Sequence, residues 1–409
     1  MQHDNSLHAF YDLSVSPLSF DFICFLVEAE RHRRVFNLDR LSIVVVPENE
    51  QLNQGPRHHN SQNKKWRLAN LLTPSCWLLP SCKNLSVCED RNHAEAIETN
   101  LATHIFPKNY SVQEPVAHHH TGLPVLASHQ GYNLQYLKSS PQARSYVRQW
   151  LDRHTDGKRA ITLTLREAAF TPKRNSDFQV WAGIAQRLKE KGFCPIIVRD
   201  TDTALNPETT ELEGIDQFPV AAFNLEMRMA LYEESHMCAF VSNGPSTPCY
   251  YSRDVKYVYF VTGEWLDKND PTFHRVGIEW GSTPPFANEF QRWVWKEQDV
   301  GSYVQEIVSL DEHICASFVE NEPTTLLDPM FANKRNGYYF AVTIQSWCRG
   351  QGDDVRPEIA LALEALKTLS QKDIKTLSQE DISEAEILNL QGNFHQMAGN
   401  HAAVVNCYT

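Results

Sequence analysis

The stretch with the clearest chemical potential is SNGPST at residues 242–247, which completes the apolar run MCAFVSN. A strand that ends in Asn-Gly and runs into a helix would place free backbone amides at a positive helix terminus, a ready site for phosphate. The alternative is an ordinary turn in which Thr247 caps the helix and Pro248 occupies its first position. The residues that we predict to bind phosphate are Asn243, Gly244, Pro245, Ser246 and Thr247.

Two arginines lie near the end of another apolar segment, ITLTLRE at residues 161–167. Arg166 directly precedes Glu167, and Arg174 follows eight residues later. A fixed pair of guanidinium groups could neutralise the charge of a departing diphosphate. The alternative is that Arg166 and Glu167 form a surface ion pair and that Arg174 only precedes a helix.

Two further patterns resemble metal sites. Asp200-Thr201-Asp202 is an Asp-x-Asp sequence of the kind that holds a divalent cation, although its position deep in the chain, after a strand of the second half, argues against metal binding. Cys76, Cys82, Cys88 and His93 are spaced more widely than a zinc knuckle requires. We predict no metal and no cofactor. The sequence also lacks the P-loop, GxGxxG and GxSxG motifs.

These residues lie in a sequence in which apolar strands alternate with helical patterns. Strands are predicted at 7–12, 41–47, 84–89 and 103–106. Helices are predicted at 20–35, near 66–73 and at 141–153, and the polar stretch 48–66 is interpreted as a loop. Such alternation is typical of a parallel sheet covered on both faces.

The alternation is clearer after residue 158. Strands are predicted at 161–167, 194–200, 237–243 and 256–263, and FPVAAFN at 218–224 is interpreted as another strand. Ser176 and Gln179 form a capping-box pattern before a helix that Gly192 ends. In such doubly wound sheets, ligands bind beyond the carboxyl ends of the strands. Arg166 and Asn243 both fall at such ends.

The length, net charge and cysteine content of the chain restrict the kinds of partner and compartment that we expect. The 409-residue chain is long enough for two domains, and its net charge of −12 argues against nucleic acid or an anionic membrane as a partner. We recognise no signal-peptide pattern and no apolar stretch long enough to span a bilayer. The ten scattered cysteines fit reduced thiols. We therefore expect a cytoplasmic protein.

The segments 161–202 and 238–252 together resemble the donor-binding half of GT-B-type glycosyltransferases, as in the heptosyltransferase and fucosyltransferase groups. In those groups a basic residue at a strand end and a later Ser/Asn-Gly-Pro turn meet the phosphates of a nucleotide-sugar. The positions that match are Arg166, Asn243, Gly244, Pro245 and Ser246. The resemblance implies two doubly wound, Rossmann-like domains of GT-B type.

The resemblance also implies that a catalytic base comes from the N-terminal half. Asp12, at the end of the first predicted strand, is our first candidate, and Asp21 is the second. A carboxylate there could take the proton of the acceptor hydroxyl while the donor phosphate departs. His118, His119 and His120 are the alternative source of a base. In an active transferase, Asp12 and Arg166 should face each other across one cleft.

We therefore predict an acceptor-side domain at 1–150, a nucleotide-sugar-binding domain at 151–330 and a helical extension at 331–409. The predicted activity is metal-independent transfer of a sugar from a nucleotide-activated donor to a glycan or protein hydroxyl. The alternatives are a sugar-nucleotide epimerase and a non-catalytic scaffold. The last 23 residues resemble one tetratricopeptide repeat, and its apolar residues favour a homodimer through this tail.

Overall fold

A computed structural model describes residues 5–49, 61–169, 171–206 and 210–320, and it shows an α/β protein with two parallel sheets. The first sheet has the order β3-β2-β1-β4, with every pairing parallel. Its strands are β1 (Ser6–Asp12), β2 (Arg40–Val46), β3 (Cys82–Val87) and β4 (His104–Phe106). All of β1 is buried, as expected for an inner strand between two helical layers.

The helical segments that accompany the first sheet include one continuous stretch that changes its winding. In that stretch, α2 (Ser61–Arg67) runs into a π-helical turn (Leu68–Leu72) and then into α3 (Thr73–Cys76). The other helices are α1 (Phe22–Val35), α4 (Arg91–Asn100) and α5 (Gly122–His129). Single π turns inside α-helices are rare, and those that do occur are often found at functional sites.

The second sheet is also fully parallel, with the order β7-β6-β5-β8-β9-β10. Its strands are β5 (Arg159–Thr164), β6 (Phe193–Val198), β7 (Asp216–Gln217), β8 (Met237–Val241), β9 (Tyr257–Val261) and β10 (Gln291–Trp295). The chain builds outward from β5 in one direction and then returns to β8 beside it. This is the doubly wound order, with its switch point between β5 and β8.

Seven helices and four 3-10 turns precede, connect or follow these strands within the described part of the chain. The helices are α6 (Pro141–His154), α7 (Phe178–Glu190), α8 (Val220–Phe223), α9 (Leu225–Glu234), α10 (Thr247–Tyr250), α11 (Pro271–His274) and α12 (Val300–Glu320). The 3-10 turns are Pro172–Arg174, Thr210–Leu212, Gly244–Ser246 and Gly263–Leu266.

The α/β class with parallel sheets is confirmed, and two local predictions, the strand FPVAAFN and the capping box of Ser176 and Gln179, are wrong. FPVAAFN forms the helix α8 instead of a strand, because the pairing with β6 is made by Asp216 and Gln217. Asp177 is the cap of α7, since its carboxylate accepts the N–H groups of Gln179 and Val180. Ser176 instead accepts the backbone N–H of Arg166 at 2.9 Å.

The two sheets share one of their buried hydrophobic clusters. This cluster contains Leu7 and Phe25 from the N-terminal elements, Tyr257 and Trp293 from the second sheet, and Tyr251, which directly follows α10. Residues Met1–Cys315 form one compact unit.

Several sequence-based predictions are not tested by the described residues. The domain limits at 150 and 330 stay predictions. The helical extension at 331–409, its tetratricopeptide-like repeat and the homodimer through it lie outside the described residues. No helix within the described ranges is long and apolar enough to cross a membrane.

Candidate functional site

A cleft of about 1150 Å³ opens at the carboxyl ends of the strands. The second sheet contributes residues that follow β5, β6, β8 and β9, including Arg166, Asp200, Asn243 and Trp265. The facing wall comes from the start of α1 and from the helix that begins with α2. The cleft therefore spans the switch point between β5 and β8, where an open doubly wound sheet binds its ligands.

Arg166 lines the cleft, but its guanidinium is engaged by the loop that follows β5. It donates to Thr171 O at 3.0 Å, to Thr171 Oγ1 at 2.9 Å and to Asn175 Oδ1. Thr171 has a left-handed backbone, with φ of 49°, and these bonds fix that unusual conformation. Arg166 is thus a positioning residue for the loop as well as a source of positive charge.

Arg174 is an arginine of the cleft that retains capacity for a ligand. Its guanidinium stacks on Trp265, 3.4 Å from the ring centroid, and donates to Ser242 O at 3.0 Å. Its Nε is buried without a hydrogen-bond partner in the described structure, and no carboxylate there lies within ion-pair distance of it. Burial lowers the pKa of Arg174, and the nearby charge of Arg166 acts in the same direction. Because the two guanidinium groups carry like charges in a region shielded from water, an anion bound between them would be stabilised.

Asn243 presents a second unused donor beside Arg174. The side chain is 6% exposed, and its Oδ1 accepts the N–H of Ser246 at 2.9 Å. Its Nδ2 is buried and has no partner among the described residues. A buried donor without an acceptor is costly. An acceptor oxygen from a ligand would satisfy it.

The turn at 244–247 differs from the predicted helix terminus. It is one 3-10 turn followed by the four-residue α10, which is too short to sum a substantial macrodipole. A Cβ on Gly244 would lie 2.7 Å from Phe20 Cδ2, so the glycine makes room for a side chain from the opposite wall. Pro245 and Thr247 line the cleft. Ser246 is wholly buried, and its hydroxyl bonds to Asn243 O and Tyr250.

Glu167 does not pair with Arg166. Its carboxylate forms a bidentate pair with Arg199, with distances of 2.9 and 2.6 Å. Asp200 accepts the backbone N–H of Glu167 at 2.6 Å, and burial raises the pKa of Asp200. This side of the cleft is therefore held together by its own polar contacts.

Asp12 does not line the cleft. It is 1% exposed, and Arg91 binds both of its oxygens, at 3.0 and 2.8 Å. Tyr110 donates to the same carboxylate at 3.0 Å, and the N–H of Ser14 donates at 2.9 Å. The structure thus does not bring Asp12 and Arg166 to one cleft. These contacts tie the loop after β1 to the start of α4 and to the segment after β4.

Asp21 does line the cleft, directly before α1. It is exposed, and Ser19 donates to its Oδ2 at 2.6 Å. No further hydrogen bond to this carboxylate occurs in the described structure. The histidine run lies outside the cleft lining. His118 approaches Glu28 at 3.8 Å, and the rings of His119 and His120 lie 4.5 Å apart.

Three cleft residues were not identified from the sequence. Arg228 is buried at 4% exposure in α9 and donates to Ala221 O at 2.6 Å. A charged residue within the otherwise apolar LEMRMAL was the available signal. Trp265 follows β9, at a strand end like the residues that were identified. Trp66 lies where the predicted polar loop 48–66 meets the helix predicted near 66–73.

One group of residues in the described part of the chain has the composition of a metal site, and it lies outside the cleft lining. The possible ligand atoms of His236, Asp311 and Cys315 lie within 4.8 Å of one another. Arg159 donates to both Asp311 and Cys315. A guanidinium therefore already supplies the positive charge there.

Comparisons with known proteins give distant structural likenesses. No protein-family profile and no curated protein matches the chain. It is similar at 11% identity to a Veillonella parvula glycosyl transferase of family 9, with a TM-score of 0.41 over 76% of this chain and 97% of that one. The E. coli ADP-heptose LPS heptosyltransferase II also gives 11% and 0.41, over 75% and 98%. A third, E. coli heptosyltransferase WaaC with ADP, gives 11% and 0.37, over 75% and 99%.

Proposed function

We propose that this cleft binds a nucleotide-activated sugar and transfers the sugar to an acceptor hydroxyl, without a metal ion. The observation that carries this proposal is the pair of unused donors at the switch point. Arg174 Nε and Asn243 Nδ2 are both buried and lack partners in the described structure. Arg174 also bonds the carbonyl of Ser242, the residue before Asn243, so the two donors belong to one small region. A diphosphate supplies the negative charge and the acceptor oxygens that such a region lacks.

The size of the cleft fits two substrates. Pockets for single small ligands commonly measure about 300–1,000 Å³, whereas this cleft measures about 1150 Å³. It is lined by the second sheet on one side and by α1 and α2 on the other. A donor at the second sheet would leave the opposite wall for an acceptor.

The proposed reaction uses one carboxylate and the arginines. The oxygen of the acceptor hydroxyl forms a bond to the anomeric carbon of the donor sugar, and Asp21 takes the proton of that hydroxyl. The bond between that carbon and the donor phosphate breaks, and the electron pair stays on the diphosphate. Arg174 and Arg166 stabilise the charge that develops there. We place the base at Asp21 because Asp12 is bound on both oxygens by Arg91.

Ligand-induced stabilisation tests the donor. Melting temperatures are measured with UDP-, GDP-, ADP- and CMP-sugars. A matching donor at 100 times its Kd should stabilise the protein by about 2.7 kcal/mol. Arg174→Gln and Asn243→Ala should each weaken binding by about tenfold to a hundredfold, because each removes a hydrogen bond to a charged group.

Arg187→Gln is the matched control, since Arg187 is a 67%-exposed arginine of α7 paired with Glu190. It should leave donor affinity unchanged. If no nucleotide-sugar stabilises the parent, or if Arg174→Gln binds as tightly as the parent, the proposed donor site is refuted. Binding without any transfer to acceptors would favour the scaffold or the epimerase instead.

A further inference from the structure

We infer that one helix face in the cleft is a platform for a sugar ring, which makes the acceptor a glycan instead of a protein side chain. This inference rests on the proposed function, because it assigns the wall that a donor would leave open. The platform consists of Gln62, Asn63, Trp66 and Asn70, all of which line the cleft.

The winding of the helix brings these side chains to one face. Gln62, Trp66 and Asn70 are each four residues apart, so they lie on neighbouring turns of the helix. Beyond Arg67 the helix widens into the π turn Leu68–Leu72, where the N–H of Thr73 bonds to Leu68 O. A π turn contains more residues than an α turn. Asn70 lies within this turn and donates to Trp66 O at 2.9 Å.

Trp66 is the central element of the platform. Its side chain is 42% exposed although it lies in a cleft. An indole ring has a negative face, and the C–H bonds on the flat side of a sugar ring are weakly positive. A sugar ring stacked on Trp66 would cover apolar surface and gain this electrostatic attraction, while its hydroxyls remained available for hydrogen bonds.

The groups around Trp66 fit the hydroxyls of such a ring. Asn and Gln side chains each offer one acceptor and two donors, which matches hydroxyl groups that both give and accept hydrogen bonds. Asn70 uses one N–H within its own helix, so its Oδ1 remains able to accept from a ligand. These amides are uncharged, and the face therefore suits a neutral sugar.

Arg67 holds the platform beside the proposed base. It donates from Nη1 to Leu18 O at 3.0 Å and from Nε to Asn63 Oδ1 at 3.0 Å. Leu18 lies three residues before Asp21 in the chain. A sugar on Trp66 would therefore lie on the wall that also carries Asp21.

A peptide acceptor fits this face less well. Extended peptides gain most of their affinity by pairing with exposed backbone groups, as when a strand is added to a sheet edge. A helix uses its backbone N–H and C=O groups internally. The platform can therefore offer a peptide only side chains. Its aromatic ring and amides are the groups that recognise a sugar.

Labelled full-length protein is applied to an array of immobilised neutral oligosaccharides, acidic oligosaccharides and Ser/Thr peptides. We expect capture by neutral glycans. Affinity for the best glycan should fall about tenfold or more in Trp66→Ala and less in Trp66→Phe, which keeps an aromatic face. Trp77→Ala is the control, because Trp77 is 48% exposed and lines a different, smaller cavity. It should bind glycan like the parent.

Capture by peptides alone, capture by no glycan, or equal affinity in Trp66→Ala and the parent would overturn the inference. Thermal stabilisation by the nucleotide-sugar panel should be the same in all three variants and the parent. If that stabilisation is absent while glycan capture depends on Trp66, the proposed transferase function fails and the glycan platform stands.

Discussion

Gly244 gives the sharpest test of how the two walls of the cleft meet. A Cβ at this position would lie 2.7 Å from Phe20 Cδ2, whereas carbon atoms in contact are normally about 3.5–4.0 Å apart. In Gly244→Ala the ring of Phe20 must therefore retreat by about 1 Å. Inserting a methyl group into a packed region costs about 1–3 kcal/mol. We expect a loss of stability in the lower part of that range, because the atom in the way belongs to the edge of a side-chain ring, which can move more easily than backbone.

Removing the ring should remove this penalty. Phe20→Ala alone loses the packing of a half-buried side chain, about 2 kcal/mol. The double variant, Gly244→Ala with Phe20→Ala, should be no less stable than Phe20→Ala, since the new methyl group then meets no ring. The coupling between the two positions is therefore about 1–2 kcal/mol. Urea unfolding followed by circular dichroism measures it, with the slope of the transition unchanged.

Additive losses, within about 0.5 kcal/mol, would refute this reasoning. Donor affinity gives a second readout. If the glycine serves only to admit Phe20, the double variant should bind the nucleotide-sugar as Phe20→Ala does. If a ligand phosphate needs the space at Gly244, the double variant should bind more weakly than Phe20→Ala alone.

Three further predictions concern residues with a structural role. Asp12→Ala should lose about 3–5 kcal/mol of unfolding free energy by leaving Arg91 unpaired; unchanged urea stability with lost activity would instead favour Asp12 as the base. Arg166→Ala should lower stability by about 1–3 kcal/mol as well as reducing turnover, because it releases the loop at Thr171; an unchanged unfolding midpoint contradicts this. Glu30 of α1 forms ion pairs with Arg33 and Arg34, both at 2.7 Å. Despite burial, these pairs hold the pKa of Glu30 below its ordinary value of 4.5, so its stabilising effect is present above that pH and is lost as the pH falls through the folded value. Glu30→Gln should reduce this acid dependence in urea titrations at successive pH values, and an unaltered dependence would count against it.

The strands were predictable because buried parallel strands are continuous apolar runs. LSIVVVP and CPIIVRD lie in inner strands of their sheets. FPVAAFN is equally apolar, and a run of seven residues does not distinguish a strand from a short helix. The strand β10 was not predicted, because QRWVW lies in a stretch rich in Trp and Pro with no clear period.

The site was predictable at the level of strand ends and not at the level of contacts. Arg166, Arg174, Asn243 and Gly244 all line the cleft, because residues that follow parallel strands meet at one edge of a sheet. The partners of each side chain come from distant parts of the chain. The carboxylate of Asp12 pairs with Arg91, which lies 79 residues away in the sequence. No local sequence pattern predicts such a contact.

The shared core has a consequence for how this architecture can change. Leu7 and Phe25 belong to the same buried cluster as Tyr257 and Trp293. Leu137 N–H, in the segment before α6, also bonds to Tyr251 O at 2.8 Å. The halves are therefore not interchangeable modules. Grafting the second sheet onto the N-terminal half of another protein would expose or overpack these aromatic rings, so a chimera would require a redesigned core. New specificity is more accessible through residues at strand ends and on α2, which can vary without disturbing that core.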